Sequence, residues 1–226
     1  MGNRVTTRVE QRSSVHRRAF FRVNCFVDWN SQLRLTGIDY AEEPVDAARA
    51  AFKQTTKKIS QCLVRRDATA NFSVVLRLYH GWRKGYEASA NLRAIRQVVA
   101  ETDFSTTSDK PNVAYSSNVA FGDCLLSALP KRMHQGTGIH LPNTLRDRGD
   151  QGHEEKMVDT ALASDLVVSA YRDPDEWVLL VAEDDDLIPP LFTAESIINP
   201  KISKALLLCK RRRGNNLLLL DGLDAS

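Results

Sequence analysis

Carboxylates stand at three separated places where an apolar segment meets a polar one, and that placement is the chain's clearest chemical signal. Asp28 follows Val23-Asn24-Cys25-Phe26-Val27 and is followed two residues on by Asn30. Asp159 stands near the start of a segment with helical periodicity. Glu183, Asp184, Asp185 and Asp186 come directly after Trp177-Val178-Leu179-Leu180-Val181-Ala182. Acids crowded together repel one another, and a divalent cation is the usual counterweight. The bland reading of the last block is a solvated acidic turn. With oxygen donors alone the cation would be Mg²⁺ or Mn²⁺ rather than zinc. Such ions polarise a phosphoryl group and activate water.

The elements that position these acids can be read from the apolar pattern. The run from Trp177 to Ala182 has no alternation, which predicts a strand covered on both faces, as in a parallel sheet. Arg22 to Asn30 reads as another strand with Asp28 and Asn30 at its carboxyl tip, and Phe72 to Tyr79 as a third. Pro44 suits the first turn of a helix that carries Val45, Ala48, Phe52, Ile59 and Cys62 to about Arg66. A second helix centres on Leu92, Ile95, Val98 and Val99 and ends near Thr102. A third runs from Glu154 to Tyr171, with Asp159 in its first turn, where the helix dipole favours an anion. Asp165 falls on the apolar stripe of that helix, about 9 Å along the axis from Asp159. A carboxylate there needs a partner, and a hydrogen bond to a neighbouring loop is expected.

Strands alternating with helices predict an α/β fold with a central, mostly parallel sheet. In such a sheet the carboxyl ends of the strands share one edge, where ligands bind. The residues from 103 to 118 read as a loop, Gly138 to Leu141 as a short strand, and Asn143 to Glu155 as a mobile polar stretch. A short helix is expected from Leu191 to Ile197, then late strands at Ala205 to Cys209 and Leu217 to Leu220.

At 226 residues the chain suits one full α/β domain. No apolar run approaches a membrane span, and no signal peptide is evident, so a cytoplasmic location and no membrane partner are expected. Four scattered cysteines (Cys25, Cys62, Cys124, Cys209) form no metal-binding spacing and read as buried thiols. The net charge is only +3, but arginines crowd the start and Lys210, Arg211, Arg212 and Arg213 crowd the end. These basic flanks fit either a polyanionic partner or solubilising tails. Arg49, Lys53, Lys57 and Lys58 read as a solvated helix face. His80-Gly81-Trp82-Arg83-Lys84-Gly85 admits two readings: Trp82 stacks on a base while Arg83 and Lys84 hold phosphates, or Trp82 packs over the sheet.

Taken together, Phe26-Val27-Asp28-Trp29-Asn30, then Lys156-Met157-Val158-Asp159 with Asp165, then Ala182-Glu183-Asp184-Asp185-Asp186-Leu187 resemble the NYN domain family, a branch of the PIN-like nucleases that includes LabA-like bacterial proteins. The resemblance covers roughly residues 22 to 198. It implies a PIN-like three-layer α/β/α sandwich and metal-dependent phosphodiester hydrolysis, of RNA more often than DNA. It assigns Asp28, Asp159, Asp184 and Asp186 to the acidic cluster that binds Mg²⁺ or Mn²⁺, with Asn30 beside it and Lys156, Asp165 and Asp185 in support. The family's usual last motif is Ser-Gly-Asp-Ser-Asp-Phe. Here Ala182-Glu183 replaces Ser-Gly and Asp185 replaces the small Ser, which alters how closely the backbone can approach a substrate.

The implied organisation is a basic flexible arm at 1–20, the nuclease domain at 21–200 and a basic extension with late strands at 201–226. A non-catalytic nucleic-acid-binding or assembly protein on the same fold is the second reading. A phosphatase with Asp28 as nucleophile ranks last, because Asn30 stands where such enzymes usually carry a second Asp. A homo-oligomer and a monomer are equally compatible with the sequence.

Overall fold

Five parallel strands in the order β3-β2-β1-β7-β8 form the central sheet, and a short β4 pairs with β2 beyond β3. The computed structural model describes residues 20–82, 88–122, 145–149, 153–155 and 157–209. Along the chain these form β1 (Phe20–Asp28), α1 (Trp29–Arg34), α2 (Pro44–Arg66), β2 (Asn71–Tyr79), α3 (Ala90–Glu101), β3 (Val113–Tyr115) and β4 (Ala120–Phe121). Next come β5 (Leu145–Asp147), β6 (His153–Glu155), α4 (Val158–Arg172), β7 (Trp177–Val181), α5 (Ile188–Ile197) and β8 (Ala205–Leu208). A single 3-10 turn, Asp185–Leu187, leads into α5.

Strand side chains alternate between faces, and the alternation sorts the interior into two cores. Val23, Cys25 and Val27 of β1, with Leu179 and Val181 of β7 and Leu206 and Leu208 of β8, pack with α1, α2 and α3. Phe26 of β1, Val178 and Leu180 of β7 and Leu207 of β8 pack with α4 and α5. All five residues of β7 are buried, which explains its unbroken apolar run. The result is the expected three-layer α/β/α sandwich with an all-parallel central sheet. No helix among the described residues is long and apolar enough to cross a membrane. Cys25, Cys62 and Cys209 are not in disulfides, and burial pushes the Cys25 thiol well up.

Several expectations need correction. The stretch expected to be mobile holds an antiparallel ribbon, with Leu145 paired to Glu155 and Asp147 to His153. Helix α4 therefore starts at Val158 rather than Glu154. The loop read over 103–118 contains β3, which extends the sheet beside β2. Helix α5 begins before Pro189 and Pro190, since prolines in the first turn have no intrahelical bond to lose. Strand β8 pairs with β7, so the boundary drawn at residue 200 falls inside the fold. The arm drawn at 1–20 gives up Phe20 to β1, and its residues 1–19, Gly138 to Leu141 and Leu217 to Leu220 lie outside the described residues.

Candidate functional site

Strands β1 and β7 are neighbours in register, Val27 against Val181, so the residues just beyond their carboxyl ends emerge at the same edge. Asp28 ends β1 and at once caps α1: Ser31 N–H donates to its Oδ1 at 3.3 Å, and Ser31 Oγ–H donates to Oδ2. This cap is why the chain turns helical at Trp29, and it places Asn30 on a helix rather than at a strand tip. Asp184 caps the 3-10 turn in the same way, its Oδ1 accepting from Asp186 N–H at 3.0 Å. Asp159 comes from the first turn of α4. Asp28, Asp159 and Asp184 line one cleft of about 380 Å³, together with Asn30, Arg34, Glu155 and Glu183.

The electrostatics show how closely these acids are grouped. Burial raises the Asp159 carboxyl above its ordinary value, and the charges of Asp28, Asp184, Glu155 and Asp186 raise it further. Asp28 is also raised, mainly by burial and partly by Glu155, against the hydrogen bonds from Ser31 and the influence of His80. Asp186 is thus close enough to act on Asp159 without lining the cleft. Asp185 is exposed at the same turn.

Glu155 is the group that sequence reading missed. It ends β6, where its Oε2 accepts from Asn30 Nδ2 at 3.2 Å and its Oε1 from Gly81 N–H at 3.0 Å. The same Oε1 meets His80 Nδ1, while Asn91 Nδ2 faces His80 Nε2 at 3.0 Å. Burial pushes the Glu155 carboxyl up, but the hydrogen bond and charge of His80, the Gly81 amide and Arg34 outweigh it and hold the group below its usual value. Glu155 therefore stays ionised and ties the ribbon to α1 and to the residues just after β2. Met157 joins it to α4 in a left-handed conformation, φ 61°, which is uncommon outside glycine. Arg34 is the one cation among the described lining residues. Neither Glu155 nor Arg34 carried a motif that would have singled it out.

Asp165 lies away from the cleft. It is 2% exposed, and its Oδ2 accepts from Tyr79 Oη at 2.8 Å and Arg77 Nη1 at 3.1 Å. Its partners stand on β2, not on the loop expected for them. Trp82 corrects the base-stacking reading outright. It is fully buried, donates Nε1–H to Leu78 O at 3.4 Å, and meets His80 and Phe121 edge-on. Lys156, Arg83, Lys84, Lys210, Arg211, Arg212 and Arg213 lie outside the described residues.

Carboxylates from three elements line the cleft, and carboxylate oxygen is the donor type a hard divalent cation takes; burial first, with neighbouring acids adding to it, raises Asp28 and Asp159. Among the described residues no group of three or more His, Cys, Asp or Glu side chains is placed to hold a metal ion as it stands. No protein-family model, curated protein or solved structure matches the chain.

Proposed function

We propose that the protein is a metal-dependent endoribonuclease of the NYN type, hydrolysing RNA phosphodiester bonds at the cleft where β1, α4 and β7 meet. One observation carries the reading: Asp28, Asp159 and Asp184, from three distant parts of the chain, line the same cleft at the carboxyl edge of a parallel sheet. These three, with Asp186 beside them, would hold Mg²⁺ or Mn²⁺. Bound there, the ion supplies phosphoryl polarisation and an activated water.

The chain's own groups do the rest. Ser31 fixes the rotamer of Asp28, and the cap on Asp186 N–H fixes that of Asp184, so both carboxylates are oriented before a ligand arrives. Arg34 offers the cleft a guanidinium for a substrate phosphate. Glu155, held by Asn30, His80 and Gly81, keeps the far wall negative and rigid. The basic ends, including Lys210 to Arg213, add affinity for a polyanion rather than chemistry.

The test is Asp184→Asn, which keeps the side chain's shape and removes its charge. With labelled single-stranded RNA and Mn²⁺, the parent cleaves and the variant loses at least about a hundredfold in rate, the scale expected when a main electrostatic group is removed. Melting curves run in parallel confirm that the variant is folded. A variant that cleaves as fast as the parent ends the nuclease reading. The second reading, a nucleic-acid-binding or assembly protein without turnover, has its own support: Asp28 spends both carboxylate oxygens on Ser31. It takes over if the parent binds RNA and cleaves neither RNA nor DNA.

A further inference from the structure

Helix α2 carries its only acid, Asp46, in the first turn, and from Lys53 onward its charges are all positive. At about 100° per residue, Lys53, Gln54, Lys57, Lys58, Gln61 and Arg65 share an arc of about 140°. That arc lies opposite the buried stripe of Phe52, Ile59 and Leu63, and it extends about 18 Å along the axis. Lys53, Lys57 and Arg65 are exposed and Lys58 is half-buried. Arg49, earlier on the helix, is paired with Asp46 and Glu101. The four later cations have no ion pair among the described residues. Lys53 and Lys57 stand one turn apart, a spacing at which like charges oppose helix formation.

This row of charge leads to the acid cleft. Gln54, Lys58, Gln61 and Arg65 form one wall of a groove of about 350 Å³. Leu35, at the end of α1, and Val181 and Leu208, at the ends of β7 and β8, face them. Glu183 lines both the groove and the cleft, and Arg34 reaches the cleft from the same end of α1. Glu183 is the one acid among the groove's described lining residues, so positive charge runs along α2 and negative charge begins at the junction. A polyanion long enough to meet cations spread over several helical turns suits that arrangement. A lipid surface does not, because the apolar side of α2 is buried in the core and leaves no face to enter a bilayer.

We propose that this face of α2 is a phosphate track, which holds a nucleic-acid strand by its backbone and leads it past Glu183 and Arg34 into the acid cleft. The lysines and Arg65 meet the phosphates as charges, and the glutamine amides donate to phosphate oxygens. Contacts of this kind position a strand without reading its bases, so binding is independent of sequence. The strand's destination rests on the nuclease reading, and the experiment separates the two.

A short fluorescent oligouridylate is titrated into the full-length protein without divalent cation, from about 50 to about 200 mM salt. Each phosphate contact on a single strand contributes about 0.7 to the slope of log affinity against log salt. Lys58→Gln/Arg65→Gln should flatten the slope by about 1.4, with a melting temperature equal to the parent's. Lys201→Gln/Lys204→Gln removes the same charge at the opposite edge of the sheet, where Lys204 O accepts from Val178 N–H at the start of β7. That pair should leave the slope unchanged. Oligoadenylate should bind within about tenfold of oligouridylate. The proposal is overturned if the α2 pair keeps the parent slope, if both pairs change it equally, if the two oligonucleotides differ by more than that factor, or if the parent binds no RNA. Cleavage is scored separately, with Mn²⁺. A flattened slope in a protein that cuts no RNA keeps the track and removes the nuclease, whereas cleavage with an unflattened slope does the reverse.

Discussion

Replacing Asp165 by Asn should destabilise the protein by about 2–3 kcal/mol, and the figure comes from who shares its charge. The Asp165 side chain is 1% exposed and that of Arg77 26%, so both ions have left most of their water. Removing one partner of a fully buried pair costs about 3–5 kcal/mol. Arg77 retains some solvent, which lowers the figure, and Asn can still accept from Tyr79 Oη, though a neutral acceptor is worth about 1 kcal/mol less than a charged one. For a chain of this size about 2–3 kcal/mol corresponds to a fall in melting temperature of about 4–12 °C. Arg77→Met should cost more, because the group it strands is the one with no access to water. The double variant Arg77→Met/Asp165→Asn should be less destabilised than the two single changes added together. Urea unfolding of the four proteins supplies the cycle. A loss below about 1 kcal/mol for Asp165→Asn, or strict additivity in the double variant, would falsify the view that this pair is a coupled buried unit.

Three further outcomes are expected. Asp28 and Asp159 are raised in the folded state, so their ionisation opposes folding. That penalty is full above the folded values and gone below the ordinary carboxylate value. Mn²⁺ should therefore raise the melting temperature at neutral pH, and the increment should shrink as pH falls towards about 4; an increment independent of pH contradicts this. Glu155 is lowered, so its contribution is present above the ordinary value and lost as pH falls through the folded one. Glu155→Gln should cost about 1 kcal/mol at neutral pH and little in acid, as read by denaturation at the two pH values. Finally, a Cβ on Gly122 would come within 2.0 Å of Tyr79 Cδ1, on a ring held in place by Asp165. Gly122→Ala should cost about 1–3 kcal/mol by overpacking, and an unchanged urea midpoint would show that Tyr79 can yield.

Much of the frame is legible from residue patterns because burial imposes periodicity. Strand β7 is buried on both faces and is therefore unbroken in its apolarity, while α2 carries one stripe over many turns. The acids at strand ends were readable for the same reason, since each comes after a run whose direction in the sheet was fixed. The ribbon of β5 and β6 was not readable. It is two three-residue strands, too short to display an alternation, and Glu155 was hidden in it as the apparent start of a helix. Trp82 illustrates a second limit. A tryptophan beside two glycines and two cations suits a stacking platform or a packed plug equally, and only the neighbouring Phe121 and His80 decide between them. Asn30 shows a third: a capping aspartate converts the residues after a strand into a helix, so the polar tip expected there became a first turn.

The adjacency of β1 and β7 bears on when the protein can act as well as where. The strand carrying Asp28 meets β2 early but finds its other neighbour, β7, much later in the sequence, Val23 against Trp177. During synthesis the emerging N-terminal half can form β1 and β2 side by side, but it has no opposing carboxylates until β7 and the turn after it leave the ribosome. Closing so long a loop is slow compared with local helix formation. A nascent or truncated polypeptide therefore holds Asp28 with neither Asp159 nor Asp184 opposite it. Any activity that depends on the three is therefore withheld until the segment carrying Asp159, β7 and Asp184 has been made and has docked beside β1.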